Sequence, residues 1–340
     1  MTAMLDPSQL RKLSYETASG QARPMLSRDA DSMYWMARYV ERAEHVARLL
    51  RVHQILLVDV GDLTPVLEHQ MWLTILATTR SGGEPEGDGT IASRIGKFMT
   101  FDHANPSSIV SCIAKARENA RAIRENISSE MWECLNTIYW AVTADEAKSR
   151  YDESPDEFLY GIMNGSMLFQ GLTDATLAHD QRWHFANAAK YLERIEVTAR
   201  VIETRFNVLA KMDAQLDQPI RNIHLMGVLR SCCSLEAYRR LHMADLDATN
   251  IAAFLVLQKD YPRSIRFCVD QLHCAVQGVR VSNGQHTPSP PERIVGRLGA
   301  QLEYASIDEI LGEGLTQYLA KIEAVVDESA VSLQKSYFLY

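Results

Sequence analysis

The sequence has no long apolar run and no segment typical of export. Its longest uninterrupted apolar stretch covers residues 251–257, far short of the roughly 20 residues that a membrane-spanning helix needs. The first 24 residues are polar and contain no apolar signal-peptide segment. We therefore expect no membrane association and predict a cytoplasmic protein with a loosely ordered extension over residues 1–24.

The sequence also has no excess of basic charge and no paired cysteine spacing. It contains 43 Asp and Glu against 35 Lys and Arg, a formal net charge of −8. Nucleic-acid binding requires a basic surface, so this balance argues against DNA or RNA as the main partner. Six cysteines form no Cys-x-x-Cys pair, which argues against zinc and disulfides. Cys112 and Cys268 lie in predicted helices that begin with proline, and we predict that both are buried.

Fingerprints of common catalytic and cofactor sites are missing as well. No Gly-x-Ser-x-Gly, His-Glu-x-x-His or dinucleotide-binding pattern is present. The Gly-rich stretch at residues 81–89 is acidic and lacks the Lys-Ser/Thr ending of a phosphate-binding loop. Tyr238-Arg239-Arg240 and the pair Arg263 and Arg266 could supply a site for an anionic ligand, but we interpret them as solvated basic residues. The sequence therefore predicts no cofactor.

Helical periodicity runs through the whole chain. Apolar residues recur with a spacing near 3.6, and no stretch shows the alternation typical of a strand. Capping-box patterns mark helix starts at Ser154, Ser289 and Ser306, each with Glu three residues later. The chain is predicted to be all-α, with helices at about 28–58, 65–79, 91–102, 106–127, 129–143, 155–178, 181–211, 221–239, 248–258, 262–281, 290–302 and 307–336.

One helical segment occurs twice. Residues 37–52 and 189–204 share seven of sixteen positions, including the Glu-Arg dipeptides Glu41-Arg42 and Glu193-Arg194. A second match relates residues 98–112 to 254–268 in the same order. Two ordered matches predict a helical bundle built from two pseudo-symmetric repeats of about 150 residues.

The predicted division of the chain follows from these matches. The first repeat covers residues 25–150 and the second covers 178–282. A connecting helix occupies 151–177, and the C-terminal helices at 283–340 close the bundle. Each repeat has an apolar face that needs the other, so we predict one intertwined bundle.

Charged residues lie at the edge of the apolar face of the repeated helix. Advancing about 100° per residue places them on the shoulder of the buried stripe, whereas Arg42 and Arg194 point away toward solvent or another helix. Secondary candidates in the same segments are Arg38, Lys190, Tyr39 and Tyr191. The tentative ligand-binding or ion-pair residues are Glu41, Glu44, Arg48, Glu193, Glu196 and Arg200.

Three hypotheses account for these charges. Glu44–Arg48 and Glu196–Arg200 are i,i+4 pairs that hold the helices in register. Alternatively, a polar pocket between the repeats binds a small amino- or carboxyl-bearing ligand or a peptide. A carboxylate-bound metal pair needs Glu-x-x-His on two helices, but His45 directly follows Glu44 and Val197 stands at the matching position. We therefore predict no metal. The hypotheses of a structural ion-pair cluster and of a ligand pocket both remain open.

Three blocks of the chain resemble one family. Residues 25–50, residues 116–136, and residues 238–242 with 261–267 are similar to blocks of the bacterial Alpha-E domain family. The resemblance covers almost everything from residue 25 onward, and Glu41-Arg42 and Glu193-Arg194 carry its Glu-Arg signature. It implies an all-helical fold. Such domains occur beside, or fused to, circularly permuted ATP-grasp ligases and transglutaminase-like peptidases.

The resemblance implies a role in making or modifying a peptide or amide. We expect a non-catalytic helical partner of an ATP-grasp ligase or a transglutaminase-like protein, binding that protein or a small amino-acid or peptide ligand. The alternative is an enzyme in its own right. In that case Glu41, Glu44, Glu193 and Glu196 are acid/base groups in a desolvated pocket, where carboxylate pKa values rise.

Overall fold

A computed structural model describes residues 25–60, 65–212, 218–243 and 245–338. Every regular element in these ranges is a helix, which confirms the all-α prediction. The extension predicted for residues 1–24 lies outside the described residues. Within the described ranges, no helix combines the length and apolar character needed to cross a bilayer.

Two long helices, α1 (Ser27–Val60) and α7 (Pro155–Thr176), bracket five shorter ones in the first part of the described chain. A 3₁₀ turn at Arg124–Asn126 ends the segment predicted as one helix over 106–127, and α6 was not predicted from the sequence. The helices are α1 (Ser27–Val60), α2 (Pro65–Thr79), α3 (Ile91–Phe101), α4 (Ile109–Ala122), α5 (Ser129–Thr143), α6 (Ala147–Glu153) and α7 (Pro155–Thr176).

The second part begins with another long helix and continues to a π-helical turn at Gln334–Phe338. Its helices are α8 (Gln181–Met212), α9 (Gln218–Ser231), α10 (Leu235–His242), α11 (Ala248–Leu257), α12 (Ile265–Ser282), α13 (Pro290–Tyr304), α14 (Ile307–Glu313) and α15 (Leu315–Leu333).

Two segments predicted as single helices are each divided in the structure. Between α9 and α10 the backbone turns at Cys233, whose φ is +55°. Between α14 and α15 it turns at Gly314, with φ +103°. A residue with a left-handed backbone conformation cannot continue a right-handed helix, and only glycine adopts this conformation without steric cost. Apolar periodicity does not report such turns, so the sequence prediction joined the segments.

The predicted helix starts are partly correct. Ser289 and Ser306 form complete capping boxes, as predicted. Ser154 makes no capping hydrogen bond through its side chain, although Pro155 occupies the first helical position. The helices that contain Cys112 and Cys268 begin after serine caps and not at proline. Both thiols are nevertheless fully buried, which confirms that prediction.

The core surrounds α1 and α8. Helix α1 packs against α4, α7 and α8, and α8 packs in turn against α12 and α15. The middle of α1 has neighbours on all sides, and few of its residues between 33 and 50 reach solvent. A helix buried all round is usually apolar. The charged residues of α1 therefore lie inside the core, where each unpaired charge is costly.

Candidate functional site

The two long helices that carry the repeated segment touch and run parallel. Contacts join Arg42 to Glu193, Glu41 to Arg194, and His53 to Arg205, pairs separated by 151, 153 and 152 residues in the chain. A nearly constant separation along two helices requires that they run in the same direction. The repeated segments consequently face each other position by position.

The two Glu-Arg dipeptides pair reciprocally across this contact. Arg42 donates from Nε and Nη2 to the two carboxylate oxygens of Glu193, at 2.6 and 2.7 Å. Arg194 donates in the same way to Glu41, at 2.6 and 3.3 Å. Both pairs have the two-pronged geometry that makes guanidinium–carboxylate bonds strong and directional. Each helix thus supplies the carboxylate for the other helix's arginine.

Two further arginines complete the coordination of these carboxylates. Arg38 donates from Nε to Glu193 at 2.7 Å and also bonds Glu196. Arg263, from the turn before α12, lies 3.1 Å from Glu44 and 3.5 Å from Glu41. The prediction that Arg263 is solvated is therefore wrong. Its guanidinium lies in the core between these two carboxylates.

Pairs within each helix extend the cluster. Arg48 bonds Glu44 one turn earlier on α1, and Arg200 donates to Glu196 at 2.5 Å on α8. Arg200 also lies 3.5 Å from Glu323 of α15. Both intrahelical pairs expected from the i,i+4 spacing are present. We call the following ten residues the Glu-Arg network: Arg38, Glu41, Arg42, Glu44, Arg48, Glu193, Arg194, Glu196, Arg200 and Arg263.

Burial and charge act against each other on the central carboxylates. Glu41 is 2% exposed and Glu193 is 1% exposed. Burial alone raises the pKa of Glu41, but the guanidinium groups of Arg194 and Arg263 outweigh it and hold this pKa below its usual value. Burial is likewise outweighed at Glu193, whose pKa is lowered by Arg42 and Arg38. Both carboxylates stay ionised at neutral pH.

The network leaves almost no empty space. The crevice bordered by Glu41, His45, Glu193 and Arg263 holds no volume for even one water molecule. A neighbouring crevice beside Glu41 and Lys190 has about 20 Å³, enough for one water. Neither of these two crevices could take an amino acid or a peptide.

Of the secondary candidates, Arg38 belongs to the network, whereas Tyr39 and Tyr191 lie beside its arginines. Tyr39 lies beneath Arg42, whose Cζ is 5.8 Å from the ring centroid. Lys190 occupies the position equivalent to Arg38, but its Nζ lies 4.7 Å from the Tyr191 ring centroid and is not among the ion pairs of the described residues. Burial, and secondarily Arg194, lowers the pKa of Lys190.

His45 is buried beside the network without taking part in it. It is 4% exposed, and its Nε2 has no hydrogen-bond partner in the described structure. Burial, reinforced by Arg263, lowers its pKa to about 3, so the imidazole is neutral. No group of three or more His, Cys, Asp or Glu side chains in the described ranges is arranged to hold a metal ion.

Sequence reasoning missed part of this site. The helical angles direct Arg42 and Arg194 away from the apolar stripe, toward solvent or another helix, and the predicted site does not include them, yet they make the two bidentate pairs. Gln170 of α7 was also missed. Its Nε2 donates to Glu41 at 2.5 Å and its Oε1 accepts from Arg194 at 2.8 Å. The Glu-Arg dipeptide itself, present twice, was the signal that pointed to the arginines.

The fold and the site define an all-helical protein whose two long parallel helices are joined by reciprocal Glu-Arg pairs. Residues 25–338 match the Alpha-E family, described as a predicted alpha-helical domain with a conserved ER motif. The chain belongs to this family. No solved structure matches it.

Curated relatives come from mycobacteria. An uncharacterised protein of Mycobacterium bovis is 23% identical over 334 residues, which cover 92% of this chain and 37% of that protein. Two uncharacterised proteins from strains of Mycobacterium tuberculosis match with the same identity and coverage. The chain therefore spans little more than a third of the length of these relatives.

Proposed function

We propose that this chain is a non-catalytic helical module that acts through a partner protein. The observation that carries the proposal is the closed Glu-Arg network. Acid/base catalysis needs a carboxylate that gains and loses a proton near neutral pH and that touches a substrate. Glu41 and Glu193 have lowered pKa values, bind two arginines each, and border a crevice without room for water.

We further propose that the module consists of two pseudo-symmetric halves. Matched contacts support this: Ser108 and Ser264 cap α4 and α12 in the same way, and the thiols of Cys112 and Cys268 each bond a proline carbonyl six residues earlier. The packing of α5, α6 and α7 also has a parallel in α13, α14 and α15.

This similarity favours a wider division than the one drawn from the sequence, with the first half at 25–176 and the second at 181–338. The reciprocal pairs make each half dependent on the other. We expect the two halves, expressed as separate chains, to be insoluble alone and to form a 1:1 complex when coexpressed. Two independently stable, monomeric halves would contradict this division.

We propose that the partner is an ATP-grasp amide ligase or a transglutaminase-like protein in the same cytoplasmic compartment. The support is the family context, in which Alpha-E domains accompany such enzymes. The module then docks on the enzyme or holds its peptide product. The longer mycobacterial relatives leave room for additional domains beside the matched region.

Copurification with the ligase of the same organism tests the proposal. We expect a stable complex in size-exclusion chromatography with light scattering, and a ligase rate that changes when the module is added. A ligase that runs at full rate alone and never associates with this chain would disprove the proposal.

The enzymatic alternative makes a different prediction for the double variant Glu44→Gln with Glu196→Gln. An enzyme would lose turnover while keeping its melting temperature. A structural network predicts a large drop in melting temperature, because each of the four arginines around these two carboxylates loses one carboxylate partner. Thermal unfolding of the purified variant separates the two functions.

A further inference from the structure

An open groove with a partly polar lining runs between α2 and α8. Its volume is about 620 Å³, within the range of about 300–1,000 Å³ that is usual for small-ligand sites. Both walls are helices, so the groove exists before a ligand enters it. Three of its lining residues are apolar, and the other five are Gln70, Thr74, Glu203, Thr204 and Asn207.

Glu203 brings a negative charge to this lining. Its side chain is partly exposed and makes no hydrogen bond or ion pair with another described residue. On the same helix, Glu193 and Glu196 each bind two arginines. Within the described chain, Glu203 is therefore a carboxylate of α8 whose charge is left for a ligand to compensate.

The charges around Glu203 disfavour an anionic ligand. Burial raises the pKa of Glu323 on α15, and the negative charge of Glu203 adds to this rise, so the two carboxylates lie close together. The arginines beside Glu323 are already engaged. Arg80 pairs with Glu323, and Arg200 bonds Glu196 at 2.5 Å and lies 3.5 Å from Glu323. Neither arginine is left for an anion, whereas a cation would gain from the charge of Glu203.

Amide side chains add hydrogen-bonding groups on both walls. Asn207 lies one turn after Glu203 on α8, and its Oδ1 accepts a hydrogen bond from the Thr316 hydroxyl at 3.0 Å. This bond uses the amide oxygen and leaves the Nδ2 group as a donor. Gln70, on the α2 wall, supplies a donor and an acceptor. A peptide group offers one donor and one acceptor in return. The lining therefore matches a ligand that carries peptide groups next to a cation.

We infer that the groove between α2 and α8 binds a peptide through a free primary ammonium group. Glu203 accepts the ammonium, and hydrogen bonds between charged groups are roughly twice as strong as neutral ones. Gln70 and Asn207 bond the peptide groups that follow, and Leu73 and Val208 contact a side chain of the ligand. This inference rests on the proposed function and deepens it, because it gives the module a place to hold the peptide of an amide ligase.

Isothermal titration of the full chain with three tripeptide amides tests the inference. Ala-Leu-Ala amide has a free amino end, its N-acetylated form has no ammonium, and N-acetyl-Lys-Leu-Ala amide carries the ammonium on a side chain. We expect at least one ammonium peptide to bind with a dissociation constant below about 1 mM, and the uncharged peptide to bind at least about tenfold more weakly. The stronger of the two ammonium peptides identifies the source of the group. No saturable binding of either, or equal binding of the uncharged peptide, would overturn the inference.

Two substitutions assign the binding to this groove. Glu203→Gln removes the charge and should weaken binding of the ammonium peptide about tenfold. Ala77→Trp fills the groove from an exposed position of α2 and should weaken binding of every peptide. The controls are Glu157→Gln and Ala175→Trp, the same substitutions at exposed positions of α7, which should leave the affinity unchanged.

The melting temperature completes this comparison. Glu203 has no partner to lose and lies near Glu323, so Glu203→Gln should not lower the melting temperature. A variant that keeps the parent melting temperature and binds the peptide more weakly supports the inference. Parent-like affinity in both Glu203→Gln and Ala77→Trp would show that the peptide binds elsewhere and would refute it.

Failure of this inference is distinguishable from failure of the proposed function. If the ligase complex forms in size-exclusion chromatography but no ammonium peptide binds, the groove is not a peptide site, whereas the module still acts through its partner. If the ammonium peptide binds as expected and no ligase complex forms, the groove binds peptides and the proposed partner is wrong.

Discussion

Replacing Glu193 with Gln should remove a large part of the stability of this protein. The side chain is 1% exposed and accepts hydrogen bonds from both Arg38 and Arg42. Gln keeps the size and one acceptor oxygen but removes the negative charge. Breaking a buried ion pair by neutralising one partner typically costs about 3–5 kcal/mol, since the remaining charge stays desolvated.

The local geometry places the expected loss near the lower end of this range. Arg38 keeps a second carboxylate, Glu196. Arg42 has no other carboxylate partner among the described residues, but its side chain is 24% exposed and keeps some hydration. We therefore expect Glu193→Gln to lower the free energy of unfolding by about 3 kcal/mol, a large fraction of the roughly 5–15 kcal/mol typical of folded proteins.

Urea unfolding followed by circular dichroism at the helix band measures this loss. The matched control is Glu118→Gln, which neutralises a surface carboxylate that bonds Arg121 at 2.5 Å, with the two side chains 54% and 70% exposed. We expect the control to change stability by no more than about 0.5 kcal/mol. The dependence on urea concentration should stay the same, because neither substitution alters the area exposed on unfolding.

A double-mutant cycle assigns the effect to the cross-helix pair. Arg42→Met alone leaves Glu193 with Arg38 only, and Arg42→Met with Glu193→Gln removes both charges of the pair. We expect the double variant to be more stable than the sum of the single losses predicts, by about 1–3 kcal/mol. If Glu193→Gln costs no more than Glu118→Gln, or if the single losses add, the network does not hold the helices together.

Three further predictions test other parts of the structure. Gly165→Ala should destabilise the fold by about 1–3 kcal/mol, because its Cβ would lie 2.6 Å from a core side chain, whereas Gly171→Ala on the same helix meets nothing and should be neutral or stabilising; urea midpoints of the two variants decide. Burial lowers the pKa of His45 to about 3, so below its unfolded value of about 6.5 only the unfolded chain takes up the proton. Buried His53 and His224 also have lowered pKa values, so the loss of stability from pH 7 to 5 should be smaller by about 2 kcal/mol in His45→Val than in the parent. Exposed Cys274 should react with a thiol reagent in the native protein, whereas Cys112, whose pKa burial raises to about 12, should react only on unfolding.

Much of the fold follows from the sequence because a helix is indicated by patterns among residues that are close in the chain. Periodic apolar spacing and serine caps located most helices, and Ser289 and Ser306 form the capping boxes that their spacing predicts. The turns at Cys233 and Gly314 were missed because they depend on one left-handed residue inside an apolar pattern. Helix α6, with seven residues, is too short to show a period.

The site was predictable in part, because helical angles are also a local property of the sequence. Helical angles placed Glu41 and Glu44 at the edge of the core, where the structure has them buried. The same angles direct Arg42 away from the apolar stripe, but the angles of one helix do not show which other helix packs against that side. Arg263 comes from a turn about 220 residues away from Glu44, and no local pattern relates the two. Contacts between segments that are distant in the chain cannot be predicted from local patterns in a single sequence.

The geometry also explains why a Glu-Arg dipeptide occurs twice in one chain. Neighbouring residues on a helix point about 100° apart, so Glu41 and Arg42 cannot neutralise each other. A parallel helix with the same dipeptide at the same height offers an arginine to the first helix's glutamate and a glutamate to its arginine. A helix without a Glu-Arg dipeptide at this height would pair with only one of the two charges of Glu41 and Arg42. The motif is therefore complementary to its own copy, because Glu41 pairs with Arg194 and Arg42 pairs with Glu193.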